Sequence, residues 1–190
     1  SEDFGLDNDI RVSTLSRYPE VFSMEEQTID GEEIWKGLAK AIQGAAKGLE
    51  ETRIKEGQNL ADDLNAKLDG MLEHVAFIEE RSPQIIEDYR KKLGERIHEL
   101  LGDVTVDETR LLTEVTIYAD KVCVDEELVR LRSHIETMKQ ALGDGGSIGR
   151  KLDFIAQEMN REANTILSKA NDLAVSNRGI DLKTEIEKVR

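Results

Sequence analysis

The sequence predicts a mainly α protein, built from a long coiled-coil-like helical hairpin and a C-terminal helical bundle. Only 4 % of the 190 residues are aromatic, two are proline and 35 % are charged, a composition typical of long helices. Apolar residues recur every three or four positions over most of the chain, which is the period of one helical face. We divide the chain into a short helix with a connecting segment (1–29), the long helical hairpin (30–102) and a C-terminal helical domain (103–190).

The long hairpin, or alternatively a kinked pair of long helices, is predicted from two helix-start signals and one apolar series. Asp30 followed by Glu33 resembles a capping box, in which side chains bond the first free backbone N–H groups of a helix. Ser82-Pro83 is the second signal, because serine caps helices and proline suits the first helical position. The apolar series comprises Ile34, Leu38, Ala41, Ala45, Leu49, Leu60, Leu64, Leu68, Met71, Val75, Ile78, Ile86, Tyr89, Leu93, Ile97 and Leu100.

The C-terminal domain is predicted to contain four helices. Asp107 and Asp125 can cap the first two, since a carboxylate accepts hydrogen bonds from free N–H groups at a helix start. A glycine-rich connector (143–147) follows the second helix. The third helix spans Gly149–Lys169, and a break at Ser176-Asn177 separates it from the last one.

The helix predicted at Gly149–Lys169 has one apolar face and one face rich in amides and charges. Steps of 100° per residue place on the apolar stripe Leu152, Ile155, Met159, Ala163 and Ile166. The stripe roughly opposite holds Arg150, Asp153, Gln157, Asn160, Arg161, Asn164 and Ser168. Asparagine forms helices poorly because its side chain competes for backbone hydrogen bonds. Two asparagines one turn apart therefore indicate a surface used for binding.

Charge and composition exclude several classes of function. The formal net charge of −14 argues against non-specific coating of nucleic acid and against attraction to anionic lipid. The charge is uneven, because residues 149–190 hold 8 basic and 7 acidic residues, so that an anionic ligand such as RNA is not excluded there. A single cysteine rules out an intramolecular disulfide framework and fits a reducing cytoplasm. No apolar run is long enough to cross a membrane.

Two groups of polar side chains are candidates for chemistry. Glu127, Arg130 and His134 line the border of one predicted helix face, at i, i+3 and i+7, and can act together. Glu158 and Glu162, one helical turn apart, could share a divalent cation through their oxygens. Each group also has a purely structural interpretation. The first would be a rim ion pair with a half-buried histidine, and the second a solvated row of i, i+3 and i, i+4 ion pairs such as Glu158–Arg161. Spacing alone favours the structural interpretation in both cases.

Three stretches of the sequence resemble the bacterial YicC/YloC family. They are Asp-Glu-Glu-Leu-Val-Arg-Leu-Arg-Ser-His (125–134), Gly-Arg-Lys-Leu-Asp-Phe…Gln-Glu-Met-Asn-Arg-Glu-Ala-Asn-Thr…Ser-Lys (149–169) and the charged segment 181–190. The resemblance implies a cytoplasmic endoribonuclease that depends on a divalent cation, Mn²⁺ or Mg²⁺. It also implies a homo-oligomer, a ring-like homohexamer that encloses RNA, and neither DNA nor membranes are expected partners.

The resemblance covers the helical and C-terminal parts of the family. The family's opening Met-Thr-Gly-Phe-Gly segment and strand-rich N-terminal region are not recognisable in the chain. The chain also does not begin with Met, and the family's closing Glu-Gln-x-Gln-Asn-x-Glu is missing after Arg190. We therefore expect the helical remainder of a longer protein.

The positions in these stretches are assigned roles on the basis of the resemblance. Catalytic roles are expected for Glu127, His134, Glu158 and Glu162, with metal ligation by Glu127, Glu158 and Glu162. Contacts with phosphate or ribose are expected from Arg130, Arg150, Asn160, Arg161, Asn164 and Lys169. A competing mechanism uses His134 as a general base on the RNA 2′-hydroxyl without metal. The alternative class of function is a non-enzymatic helical oligomerisation or adaptor module, in which buried amides of the 149–169 helix set helix register.

Overall fold

The computed structural model describes residues 2–5, 7, 9–24, 30–102 and 107–190, and every regular element in them is helical. The mainly α fold is therefore confirmed. A 3₁₀ turn is followed by helices α1 Val12–Leu15, α2 Gly31–Leu101, α3 Glu108–Val122, α4 Asp125–Asp144, α5 Gly149–Lys169 and α6 Leu173–Val189. Within these residues, no helix combines the length and the apolar character needed to span a bilayer.

The chain folds into two compact units, Ser1–Thr52 and Arg53–Arg190. The boundary lies inside α2, whereas the sequence-based division placed boundaries after residues 29 and 102. The predicted short N-terminal helix corresponds to α1, and residues 25–29 of the predicted connecting segment lie outside the described residues. In the first unit, the described side chains are exposed except for the half-buried Ala39. The second unit contains all of the predicted site residues.

The predicted hairpin is wrong, because this region forms one uninterrupted helix, α2. The Ser82 hydroxyl donates a hydrogen bond to the carbonyl oxygen of Ile78 at 2.8 Å instead of capping a new helix. Pro83 removes a backbone N–H from the helix interior at a cost of about 3 kcal/mol. Apolar burial continues on both sides, since Ile78 is fully buried and Ile85 packs against the same core. Each such side chain contributes about 1.5–3 kcal/mol when fully buried, so packing along the helix outweighs the proline.

The core of the second unit is formed by α2, α4, α5 and α6, each of which buries one apolar face. Its fully buried side chains include Leu68, Met71, Val75 and Ile78 from α2, Leu131 and Ile135 from α4, Met159, Ala163 and Ile166 from α5, and Leu182 and Ile186 from α6. The predicted apolar stripe of α5 is confirmed, because Ile155 is buried as well and Leu152 packs against the core. The bounds predicted for this helix are also those observed.

Side-chain caps confirm two of the predicted helix starts and correct a third. The carboxylates of Asp30 and Asp107 accept hydrogen bonds from backbone N–H groups two or three residues ahead, with oxygen–nitrogen distances of 2.9–3.4 Å. Asp125, by contrast, is already the first residue of α4, and the buried Val124 precedes it without a side-chain cap. The acidic first turn of α4 still complements the positive end of the helix dipole.

The predicted break at Ser176-Asn177 is wrong, because both residues lie inside α6. The helix begins at Leu173, and one oxygen of Asp172 caps it by accepting two backbone N–H groups of the first turn at 3.0 and 3.1 Å. The other oxygen of Asp172 accepts a hydrogen bond from Arg81 Nη2 on α2 at 2.9 Å. This bond lowers the pKa of the Asp172 carboxyl, against the opposing effect of burial.

Replacing Asp172 tests its two roles separately. We expect Asp172→Ala to lower the free energy of unfolding by about 1–2 kcal/mol at neutral pH, since α6 loses its cap. Asp172→Asn keeps a capping oxygen and loses only the charge, so its effect should be smaller. Because the folded-state pKa is depressed, the ionic contribution is present above the ordinary pKa of about 4 and is lost as the pH falls through the lower value. Urea unfolding of the wild type and Asp172→Asn should therefore converge in acid, and a gap that persists there would contradict the ionic role.

The close approach of α5 and α6 requires a glycine at position 179. A Cβ there would lie 2.7 Å from Leu167 Cδ2 and 3.0 Å from Leu167 Cγ. We expect Gly179→Ala to lower the free energy of unfolding by about 1 kcal/mol, because overpacking of about 1–3 kcal/mol exceeds the helix-propensity gain of alanine. Gly70→Ala is the matched control, since a Cβ at that position would meet no atom within 4 Å, and it should stabilise the protein slightly.

The clash predicts non-additivity between positions 179 and 167. Gly179→Ala combined with Leu167→Ala should cost less than the sum of the two single substitutions, as thermal or urea unfolding can measure. Additive effects would show that the two side chains do not meet.

Candidate functional site

Four of the predicted site residues meet where α4 packs against α5. Glu127 on α4 is 4 % exposed, and Glu162 on α5 is 6 % exposed. Arg130 on α4 and Lys169 at the end of α5 supply the cations. Because Glu127 pairs with Lys169 while Arg130 pairs with Glu162, the two helices run antiparallel. We call these four residues the α4–α5 ion cluster.

Each buried carboxylate of the cluster has a cationic partner. Lys169 Nζ donates to Glu127 Oε1 at 2.9 Å and to the carbonyl oxygen of Cys123 at 3.0 Å. Arg130 Nε lies 3.1 Å from Glu162 Oε1, and Arg130 Nη2 lies 3.5 Å from Glu127 Oε1. The second oxygen of Glu127, Oε2, is buried without a hydrogen-bond partner among the described residues. Glu127 therefore depends on the ion pairs made through its other oxygen.

Electrostatics favour the charged forms of Glu127 and Arg130. Burial opposes ionisation of Glu127, but the hydrogen bond from Lys169 and the nearby positive charges outweigh it and hold the pKa of Glu127 below its ordinary value. The contact with Glu162 raises the pKa of Arg130. The side chains of Arg130 and Lys169 nevertheless remain 43 % and 34 % exposed. An anionic ligand can therefore reach both cations, in competition with the carboxylates.

His134 lies on α4 one helical turn after Arg130, on the border that faces α5. The imidazole is half-buried, and no hydrogen bond links it to another described residue. The antiparallel register places it opposite the turn of α5 that carries Glu158. Glu158 itself pairs with a residue of its own helix, since Arg161 Nη1 lies 3.2 Å from Glu158 Oε2. The histidine thus borders the ion cluster with its ring nitrogens unengaged.

Within one chain, the carboxylates predicted to bind a cation do not form a metal centre. Glu127, Glu158 and Glu162 are each engaged by a basic side chain. Over residues 2–5, 7, 9–24, 30–102 and 107–190, no three His, Cys, Asp or Glu side chains converge as metal ligands. Hard divalent cations require several oxygen ligands, so the donor set of a single chain does not fit one.

Two asparagines of the polar stripe on α5 contact α6. Asn160 Nδ2 donates to Glu187 Oε1 at 2.6 Å, and Lys183 Nζ donates to Asn164 Oδ1 at 2.8 Å. These amides therefore help to hold α6 against α5. The adaptor alternative assigns these amides the role of setting helix register. In this structure their contacts align α5 with α6 of the same chain.

The remaining members of the polar stripe stay exposed. Arg150 has no ion-pair or hydrogen-bond partner among the described residues, and the Arg161 side chain is 72 % exposed. An open depression on this side is lined by Gln157, Asn160, Arg161, Asn164, Thr165 and Ser168. All six belong to one helix, whose surface is convex, so the feature is an exposed face and not an enclosed pocket. Such a face suits an extended ligand better than a small molecule.

Phe154 lies on the same exposed side and was missed as a site residue. Its side chain is 63 % exposed, one helical turn after Arg150. The signal was present in the sequence, because Phe154 falls outside the apolar stripe when the helix is drawn at 100° per residue. The contact between Lys169 and the Cys123 carbonyl, by contrast, depends on tertiary packing and has no sequence signal.

Comparison with known proteins connects the chain to one family. The model described as "Endoribonuclease YicC-like, C-terminal" matches residues 78–190, and the model described as "Endoribonuclease YicC-like, N-terminal region" matches residues 1–62. A "Probable endoribonuclease YicC" of Clostridioides difficile is 43 % identical over 188 residues, 98 % of this chain and 64 % of that protein. A protein of the same name from Haemophilus influenzae is 30 % identical over 184 residues, 97 % of this chain and 63 % of that protein.

These matches extend the similarity beyond the stretches recognised in the sequence. Residues 1–62 correspond to the family's N-terminal region, although their described part contains no strand. The chain spans less than two thirds of the length of the curated relatives it matches. The C-terminal match alone covers more than half of the chain and includes the α4–α5 ion cluster, His134 and the exposed face of α5. The chain therefore belongs to the YicC-like endoribonuclease family.

Proposed function

We propose that this chain is the RNA-cleaving part of an endoribonuclease, with His134 and the α4–α5 ion cluster at its centre. The observation that carries the proposal is a pair of partly exposed cations, Arg130 and Lys169, held by two buried carboxylates, with the half-buried His134 one helical turn after Arg130. The names of the relatives support RNA as the substrate. We place the activity in the cytoplasm, which suits the free cysteine, Cys123.

The proposed reaction uses the 2′-hydroxyl of RNA as the nucleophile. His134 accepts its proton, the 2′-oxygen attacks the adjacent phosphorus, and the bond from phosphorus to the 5′-oxygen breaks. The leaving 5′-oxygen takes a proton from water, so that the products carry a 2′,3′-cyclic phosphate and a 5′-hydroxyl. Arg130 and Lys169 stabilise the negative charge that develops on the phosphoryl oxygens. Glu127 and Glu162 orient these two cations.

We also propose that cleavage requires a divalent cation, Mn²⁺ or Mg²⁺. Since one chain does not supply a ligand set, the remaining oxygens would come from RNA phosphates or from carboxylates of neighbouring copies. Glu158 is the most accessible candidate of the three predicted ligands, with a side chain 24 % exposed. The cation would neutralise phosphate oxygens near the scissile bond, while the RNA 2′-hydroxyl remains the nucleophile and His134 the general base.

The proposed assembly is a ring-like homohexamer that encloses RNA. The net charge of −14 would repel RNA from most of the surface. In contrast, α5 carries four basic and three acidic residues and exposes Arg150 and Arg161. Copies arranged with these faces inward would confine RNA to the interior.

A helical adaptor is the second candidate function. It is favoured by the contacts of Asn160 and Asn164 with α6, which give two of the predicted RNA-binding residues a structural role. An adaptor would bind RNA without cutting it. The cleavage assays below separate the two functions.

The general-base role predicts the chemistry of the product ends. Cleavage of an end-labelled RNA should leave 2′,3′-cyclic phosphates, and His134→Gln should slow it by about 10²–10⁴-fold without weakening RNA binding. His98→Gln, at an exposed position on α2, is the matched control and should leave the rate unchanged. Products with 5′-phosphate and 3′-hydroxyl ends would instead indicate metal-activated water as the nucleophile.

Cation dependence is tested by cleavage in Mn²⁺, Mg²⁺ or EDTA. We expect EDTA to abolish cleavage and Glu158→Gln/Glu162→Gln to lose cation-dependent cleavage while retaining helicity and mass. Since Glu162 is buried against Arg130, the single variant Glu158→Gln is included to leave that pair intact. Glu185→Gln is the control, because Glu185 makes a similar i, i+3 pair with Lys188 on α6 and is similarly exposed. Full activity in EDTA would refute cation dependence, and RNA binding without cleavage in every condition would favour the adaptor.

A further inference from the structure

Phe154 has an aromatic face that no other part of the described chain covers. The second unit contains four aromatic side chains, and three of them have partners. The rings of Tyr89 and Tyr118 stack with their centroids 3.7 Å apart, and the Arg178 guanidinium lies 4.8 Å above the centre of Phe77. Phe154 has no ring or cation contact among the described residues and is 63 % exposed.

We propose that Phe154 is a stacking platform for an unpaired base of bound RNA. This inference rests on the proposed RNA-binding function and deepens it by naming the substrate class, RNA with a single-stranded segment. Bases in a helix are already stacked on their neighbours, whereas unpaired bases can splay out and stack on aromatic side chains.

The surroundings of Phe154 match the backbone of such a ligand. Arg150 lies one helical turn before it without a partner, and Arg161 lies about two turns after it with a side chain 72 % exposed. Gln157 adds an exposed amide between them. A base on the ring would therefore place its flanking phosphates near guanidinium groups, which suit phosphate oxygens by charge and by geometry.

The same surroundings disfavour a protein partner on Phe154. A protein interface that covered the ring would also remove the neighbouring arginines from water, which is costly without matching carboxylates. Exposed aliphatic side chains such as Val129, Leu173 and Ile180 lie on α4 and α6. Phe154 is the one large apolar side chain among the exposed residues of α5. The carboxylates next to the ring, Asp153 and Glu158, are each paired with an arginine, while Arg150 has no partner among the described residues. An exposed aromatic ring beside a free cation and an amide is an arrangement that nucleic-acid bases use.

The test compares variants of the full chain in binding a short single-stranded 2′-O-methyl RNA and the duplex formed with its complement. Because the 2′-oxygen is blocked, the proposed reaction cannot consume the ligand. Phe154→Ala and Phe154→Leu should weaken binding of the single strand by about 5- to 150-fold, the loss typical of removing one stacking aromatic. Phe154→Tyr should retain the affinity, and duplex binding should change little. Leu173→Ala, at another exposed apolar position, is the control.

A direct optical readout is available because Trp35 is the only tryptophan of the chain. In the variant Trp35→Phe/Phe154→Trp, the single strand should quench the indole fluorescence through stacking. Trp35→Phe/Leu173→Trp should show no such quenching.

The outcomes separate this inference from the proposed function. Equal affinity of the wild type, Phe154→Ala and Phe154→Leu for the single strand, with cleavage intact, would overturn the stacking role alone. A loss of affinity that accompanies a lower molecular mass in light scattering, and that leucine restores, would show a contact between copies and would also overturn it. A wild-type protein that binds neither RNA would overturn both proposals.

Discussion

Two carboxylates removed from water govern how α4 meets α5. An unpaired buried carboxylate costs several kcal/mol, so Glu127 and Glu162 are tolerated only where a cation reaches each of them. Arg130 and Lys169 reach them in one antiparallel register. A shift by one helical turn would separate Glu162 from Arg130 and Glu127 from Lys169, leaving Glu127 only the 3.5 Å contact with Arg130 of its own helix. The apolar core supplies more stabilisation in total, but leucine, isoleucine and methionine side chains tolerate repacking better than buried charges do. The ion pairs therefore select the register, and the core stabilises it.

The need to pair these buried carboxylates also determines how the α4–α5 ion cluster can interact with a ligand. The chain has a net charge of −14, so cations that an RNA phosphate could reach must be fixed in place by local interactions. The buried carboxylates supply these interactions, because they hold the cationic side chains while leaving part of each exposed. A phosphate must then compete with Glu127 and Glu162 for the same donors. For the proposed cleavage reaction, such preorganisation would lower the affinity for RNA phosphate and favour interactions that strengthen only as negative charge develops in the transition state.

The sequence predicts the structure best where a single local pattern dominates. The bounds of the 21-residue α5 helix are predicted as observed, because one apolar stripe runs from Leu152 to Ile166 along most of its length. The sequence-based prediction is wrong at Ser82-Pro83. A local helix-start signal competes there with burial against three other helices. This burial depends on the tertiary structure and has no local sequence pattern. The pairing of Glu127 with Lys169 spans 42 positions and depends on a register set by tertiary packing. The i, i+3 spacing of Glu158 and Arg161 predicts their ion pair, which the structure confirms, whereas the pairing of Glu162 with Arg130 joins two helices and depends on tertiary packing.

The order of elements along the chain has a consequence for protein synthesis. The buried face of α2, from Leu68 to Ile78, is translated long before α6, whose Leu182 and Ile186 complete the core that covers it. At bacterial elongation rates, the last hundred residues take roughly 5–20 s to emerge. During that interval a row of apolar side chains on the ribosome-bound chain has no intramolecular cover. Ribosome-associated chaperones that shield such surfaces would be expected to determine the yield of folded protein.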